Sequence, residues 1–226
     1  MTDQLTALRA AFSGLHRYHI ATPHTPLPDD APGICWIFAA NGVFKQGANA
    51  HLVARVCAEP FAAPIPGLAE LTPAVRWRDW PDAHLPGAAL LPPVLEQAQA
   101  TVSPLGANLG RPIELQLFVV LRDGMARLIK PNQISTATWL RYRMPDGVLL
   151  CDLHSHHAMP AFFSGTDDGD DQGLGVSAVI GGIFTGPEIR TRINVYGVSQ
   201  EVPATLVFDD LGPFAQGGLG DAVTHD

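Results

Sequence analysis

The segment VLLCDLHSHHAMPAFFSGTDDGDD, residues 148–171, holds the side chains whose types and spacing can do chemistry. His154 and His156 stand two apart at the end of an expected strand, Val148–His156, and the two-residue period of a strand sends both imidazoles to one face. Asp167 follows eleven residues after His156, beyond a loop containing Pro160 and Gly165 that can fold back over the strand end. Two neutral imidazoles and one carboxylate match the ligand set of catalytic zinc, which keeps its fourth tetrahedral position open for water. Such chemistry needs a base outside the ligand set to take a proton from water. Of the six glutamates, Glu114 is the best placed, because it stands at the entrance to the apolar run Leu115–Leu121, where a carboxylate is otherwise out of character. Ser164, three residues before Asp167, offers a hydroxyl to the oxyanion that forms when water attacks a carbonyl.

These groups need elements to hold them. Leu115–Leu121 reads as a strand, Asp123-Gly124 as a hairpin turn and Ala126–Ile129 as its return. Val94–Val102 reads as a helix opened by Pro92-Pro93. Beyond a Gly/Asp-rich loop, Ser164–Gly175, the runs Val176–Phe184 and Ile189–Val198 read as a strand pair, and the last fifteen or so residues as a frayed tail. Upstream, Ala58–Pro93 carries eight prolines, which excludes a continuous helix or a central strand and marks a boundary region. Before it, Leu5–Leu15 has helical spacing, and Ile34–Phe38 and Leu52–Cys57 are β-rich runs joined by a segment with the turn dipeptide Asn41-Gly42. The expected organisation is an N-terminal module over residues 1–85, with a small antiparallel sheet and a proline-rich linker, and an α/β domain over 86–226. A fragment from about Leu85 onward is expected to keep the pocket if that domain has its own core.

Composition narrows the function. At 226 residues with 46% hydrophobic and 16% charged residues, the chain is long and apolar enough to fold. A net charge of −8 argues against direct nucleic-acid binding. No apolar run reaches membrane-spanning length and no secretory signal opens the sequence, so a cytoplasmic location is expected, with no membrane partner. Cys35, Cys57 and Cys151 are odd in number and widely spaced, which fits a reducing compartment. Cys151 alternates away from the histidines and reads as a small buried hydrophobe. Trp36, Trp77, Trp80 and Trp139 read as core or interface anchors, His157 as a surface or supporting residue, and Asp168, Asp170 and Asp171 as a solvated acidic loop lacking the glutamate that closes a calcium-binding EF-hand.

Spelled out, the chemical residues form His-x-His, seven residues, Ser-x-x-Asp, with Pro-x-Glu (Pro112, Glu114) upstream. This resembles the JAMM motif of JAB/MPN metallopeptidases, over roughly Leu90 to Val198. The resemblance implies a JAB/MPN-type, cytidine-deaminase-like mixed sheet with flanking helices, Zn²⁺ held by His154, His156 and Asp167, Glu114 as general base and Ser164 stabilising the tetrahedral intermediate. It implies a substrate too: a peptide or isopeptide bond at the C-terminal tail of a ubiquitin-like protein. The whole chain resembles, more narrowly, the JAB-domain proteins of PRTRC cassettes, which are encoded with a ParB-related and a ThiF-related protein and so imply those as partners. The chain departs from the pattern at His157, where many relatives have Pro, and at Leu117, where a glycine often follows the Glu by three residues. Two other readings stand beside this one: a non-catalytic JAB scaffold that binds a ubiquitin-like or ThiF-like partner, and a small-molecule zinc hydrolase or deaminase. The deaminase signature needs cysteine ligands, and no Cys-x-x-Cys occurs.

Overall fold

The computed structural model describes residues 16–80, 82–100, 114–135 and 140–218. The expected helix at Leu5–Leu15, Pro112, Trp139 and the loop around Pro104, Gly106 and Gly110 lie outside the described residues.

Two sheets account for most of the structure. The first contains β1 (His16–Ile20), β2 (Gly33–Ala39), β3 (Gly42–Ala48), β4 (Leu52–Pro60) and β5 (Ala74–Trp77), in that spatial order. β2 to β5 form an antiparallel meander, and β1 joins the edge in parallel with β2. The sequence pairs two strands here and misses β3, because Gly42–Ala48 (GVFKQGA) carries two glycines and two polar residues and lacks a clean apolar alternation. Nor is the proline-rich stretch only a boundary: its Ala74–Trp77 segment pairs at the sheet edge as β5, the position that proline-flanked strands tolerate.

The second sheet contains β6 (Gln116–Arg122), β7 (Met125–Ile129), β10 (Val148–Ser155), β11 (Leu174–Gly181), β12 (Glu188–Val195) and β13 (Val198–Val202), in the order β13-β12-β11-β10-β6-β7. It is mixed: β10 is antiparallel to β6 and parallel to β11. A separate two-stranded ribbon pairs β8 (Gln133–Ser135) with β9 (Leu140–Tyr142). The expected tail is in part structural. Phe214 is buried in the core, and β14 (Ala215–Gln216) pairs in parallel with β12, the Ala215 N–H donating to the Pro187 carbonyl at 2.9 Å.

Helices are few. α1 (Gly87–Ala100) starts five residues before the expected prolines, leaving Pro92 and Pro93 inside it. Its opening is fixed by the Gly87 N–H donating to Asp209 Oδ1 at 2.7 Å and the Leu90 N–H donating to the Pro86 carbonyl at 3.0 Å. Gly87 is required there, since a Cβ would lie 1.7 Å from the Asp210 carbonyl oxygen. The prolines remove donors to the carbonyls of Ala88 and Ala89, which are exposed and can turn to water. Burial of Leu90, Leu91, Val94 and Ala98 holds the helix in place. α2 is the short helix Gly165–Asp170. No described helix is long and apolar enough to cross a membrane.

The two sheets share one hydrophobic cluster. Leu52, Ala54, Val56 and Trp77 from the first pack with Leu150, Val176, Ile193 and Val195 of the second. Polar bonds cross the same boundary: Trp77 Nε1 donates to the Leu150 carbonyl at 3.1 Å and the Cys57 N–H to Gln200 Oε1 at 2.7 Å. A fragment beginning at Leu85 would therefore lose the Trp77 side chain and its neighbours from the core. Deleting one buried Trp costs about 3–5 kcal/mol, a large share of the 5–15 kcal/mol that holds a typical domain. The expected result is loss of cooperative thermal unfolding in the 85–226 fragment, followed by circular dichroism beside the full chain; a sharp transition at the parental midpoint would show that the second sheet is self-sufficient.

Candidate metal centre

β10 runs through the middle of its sheet and delivers His154 in register between Gln116 on β6 and Val179 on β11. His156 lies just past the strand end, and its N–H still donates to the Ile180 carbonyl at 2.8 Å, which keeps it in the pleat. The two Nε2 atoms lie 3.2 Å apart, and Asp167 Oδ1 is 3.4 Å from His154 Nε2. One ligand atom from each of the three residues falls within 4.8 Å of the others. Between the histidines, Ser155 is buried and ties the site to β6: its N–H donates to the Leu115 carbonyl and its Oγ accepts from the Leu115 N–H, both at 3.0 Å. That pair of bonds sets Glu114, the next residue upstream, beside the histidines. The sequence passes over Ser155; a small polar residue in a buried strand was the signal available.

After His156 the chain turns sharply and crosses the end of β11. The Gly182 N–H donates to the Met159 carbonyl at 2.7 Å and the Ile183 N–H to the His157 carbonyl at 3.0 Å. Gly181 permits the crossing, since a Cβ there would lie 2.2 Å from the Ala161 nitrogen. His157 has φ +41°, a conformation closed to proline, whose ring fixes φ near −65°. The departure from Pro at this position thus belongs to a different turn. Phe162 then presents its edge to the His156 ring, with centroids 4.4 Å apart.

α2 brings in the carboxylate. Ser164 is its N-cap, and Asp167 Oδ2 accepts from both the Ser164 N–H at 2.6 Å and the Ser164 hydroxyl at 2.7 Å, a reciprocal capping box. With Oδ2 held, Oδ1 faces His154. The sequence suggests that the following acidic residues form a solvated loop; Asp170 is exposed, but Asp168 and Asp171 are paired. Arg192 on β12, only 3% exposed, donates to Asp168 Oδ1 at 2.6 Å and to Asp171 Oδ2 at 2.7 Å, holding the C-terminal half of α2 while its guanidinium lies over the Phe163 ring. A buried Arg needs such partners, and these two carboxylates supply them. Arg192 is a supporting residue that sequence reading misses, because its partners lie more than twenty positions away.

The histidines, Asp167, Glu114 and Ser164 line one cavity of about 240 Å³, together with Asp152. Burial holds His154 below its ordinary value and lowers His156 to about 4, so both rings are neutral, the form that ligates metal. Burial raises Asp167, but the imidazole of His154 and the bonds from Ser164 outweigh it, leaving a carboxylate that is lowered overall. Burial, aided by the charge of Asp167, pushes Glu114 up to about 7. Among the described residues no donor reaches the Glu114 carboxylate. Two neutral imidazole nitrogens and an ionised oxygen converging on one point fit Zn²⁺, with a carboxylate left over beside it.

Asp152 is pushed up to about 7 by burial first, with Asp171, Asp167 and Asp170 adding to it, against a lowering hydrogen bond from Gln116. A folded value above the unfolded 3.8 means that stability is fully present below about 3.8 and declines as the pH rises through about 7. In the metal-free protein, Asp152→Asn should therefore raise the thermal midpoint above pH 7 and leave it unchanged below pH 4. A midpoint difference independent of pH would mean that Asp152 stays ionised in the fold.

Residues 95–194 match the family model of prokaryotic homologs of the JAB domain. That span, a little under half of the chain, contains the cavity with its histidines, Glu114, Ser164 and Asp167. No curated protein matches the chain.

Proposed function

We propose that the protein is a zinc-dependent hydrolase that cleaves a peptide or isopeptide bond at the C-terminal tail of a ubiquitin-like protein. The observation that carries this reading is the convergence of His154, His156 and Asp167 with Glu114 left free in the same cavity. Support for the substrate comes from the match to the prokaryotic JAB model; the resemblance of the sequence to JAB proteins of PRTRC cassettes makes their ThiF-related and ParB-related companions the proposed partners.

His154 Nε2, His156 Nε2 and Asp167 Oδ1 would hold the metal. Bound zinc supplies a Lewis acid that polarises the substrate carbonyl and makes water a stronger acid. Glu114 takes the proton of the attacking water and returns it to the amine nitrogen as the C–N bond breaks. Ser164 has two duties. Its hydroxyl holds Asp167 Oδ2 and turns Oδ1 towards His154; to stabilise the oxyanion it releases that bond and donates to the substrate oxygen. Arg192 and Ser155 hold the two walls of the site in register.

The direct test is to incubate the zinc-loaded full chain with a ubiquitin-like protein fused through its C-terminal tail to a reporter. Cleavage should stop on chelation and return with added zinc. Tight zinc binding without cleavage of any such fusion would support the scaffold reading instead.

A further inference from the structure

A second, larger cavity of about 620 Å³ lies on the other sheet. Gln46 on β3 and Arg55 on β4 are cross-strand partners on the face of the sheet opposite Leu52, Ala54 and Val56, with Val53 in the neighbouring row. The connection between β1 and β2, at Leu27 and Pro28, forms one wall and Trp80 another.

Two side chains carry the argument. Arg55 is only 9% exposed, and its Nε donates to the Thr72 carbonyl at 3.0 Å. Among the described residues no carboxylate forms an ion pair or hydrogen bond with it, the charge of Asp30 acting only at longer range, and nothing accepts from its remaining guanidinium N–H groups. Gln46 is 4% exposed, and its Nε2 is buried without an acceptor among the described residues. The other arginines of the cavity differ: Asp30 takes Arg76 through its carboxylate and Arg78 through its carbonyl. A guanidinium keeps its charge at any physiological pH and carries five donors in a planar fork. The Gln46 amide N–H is buried without an acceptor, which is costly, and the unpaired part of the Arg55 fork lies beside it. The complement to both is an oxyanion, which a guanidinium fork grips in two-point fashion.

We infer that this cavity binds a small ligand that places a carboxylate or phosphate on Arg55 and Gln46 and an apolar body against Val53, Leu27, Pro28 and Trp80. The volume fits a ligand of roughly drug size. The site is independent of the zinc chemistry.

Titration calorimetry on the full chain with benzoate, phenyl phosphate and inorganic phosphate tests it. Benzoate against phenyl phosphate distinguishes the two oxyanions, and inorganic phosphate reports what the apolar body adds. At least one of the two aromatic ligands should bind at millimolar concentration, more tightly than inorganic phosphate. Arg55→Met, which keeps the stem and removes the fork, should weaken that binding by about tenfold or more, as expected for charge-assisted hydrogen bonds. Gln46→Met, in which the sheet keeps its arginine, should weaken it by a smaller factor and serves if Arg55→Met does not fold. Binding should persist in His156→Ala. Absence of binding by both aromatic ligands, equal affinity in Arg55→Met, or loss in His156→Ala would each overturn the inference.

Discussion

Glu114→Gln should leave a folded protein with its full complement of zinc and reduce turnover by at least roughly 10². The side chain keeps nearly the same volume and can still hydrogen-bond a water, but a neutral amide cannot take a proton and hand it back. General acid–base assistance is worth on the order of 10²–10⁴-fold, about 3–5 kcal/mol of barrier. The metal should be spared, because the three converging ligand atoms come from His154, His156 and Asp167. In the metal-free protein, stability should if anything rise at neutral pH, since the substitution removes a carboxyl whose ionisation burial opposes. Zinc content, thermal midpoint and cleavage measured on one preparation separate the outcomes. Unchanged cleavage would exclude Glu114 as the base, and lost zinc would make it a ligand.

That experiment is possible because local chemistry was legible in the sequence. The strand Val148–His156, the alternation that sends both imidazoles one way and Cys151 the other, and the return of Asp167 all follow from two-residue periodicity and a turn-rich loop. Cys151 is buried in the core and the histidine Nε2 atoms meet. Long-range support was not legible. Arg192 looks like an ordinary strand arginine until β12 lies beside α2, and Ser155 looks incidental until β6 is seen to pair with its backbone. β3 was hidden by its composition, since Lys45 and Gln46 break the apolar pattern. Each has a tertiary reason to be there: Lys45 Nζ donates to the Tyr196 carbonyl at 2.6 Å, across to the other sheet, and Gln46 lines a cavity. The early start of α1 had the same origin, because burial of Leu90 and Leu91 overrode the proline rule.

The ligand set has its sharpest test in His156→Ala, paired with His157→Asn. His156 is 4% exposed, and its ring is one of three groups that can close on a metal. Removing it leaves His154 and Asp167, too few to hold zinc in competition with water. Altering even a residue that only supports a ligand costs 10–100-fold in metal affinity, so loss of a ligand itself should cost at least about 10². The fold should survive. The backbone bonds of residue 156, from its N–H to Ile180 and from Met159 N–H to its carbonyl, do not involve the side chain, and the change removes a buried imidazole whose protonation the fold opposes. Because the His156 value is lowered to about 4 from 6.5, the neutral ring costs the fold nothing above about 6.5 and stability is lost as the pH falls towards 4. Because zinc binds the folded state, it should protect the parent against heating by about 3 kcal/mol at a hundredfold excess over its dissociation constant, and protect His156→Ala, which lacks a ligand, hardly at all. His157→Asn is the control, since asparagine accepts the positive φ of that position and residue 157 is not in the ligand cluster. It should keep both zinc and the heat protection. Equal zinc content in His156→Ala and its parent would remove His156 from the centre, and zinc loss in His157→Asn would bring His157 into it.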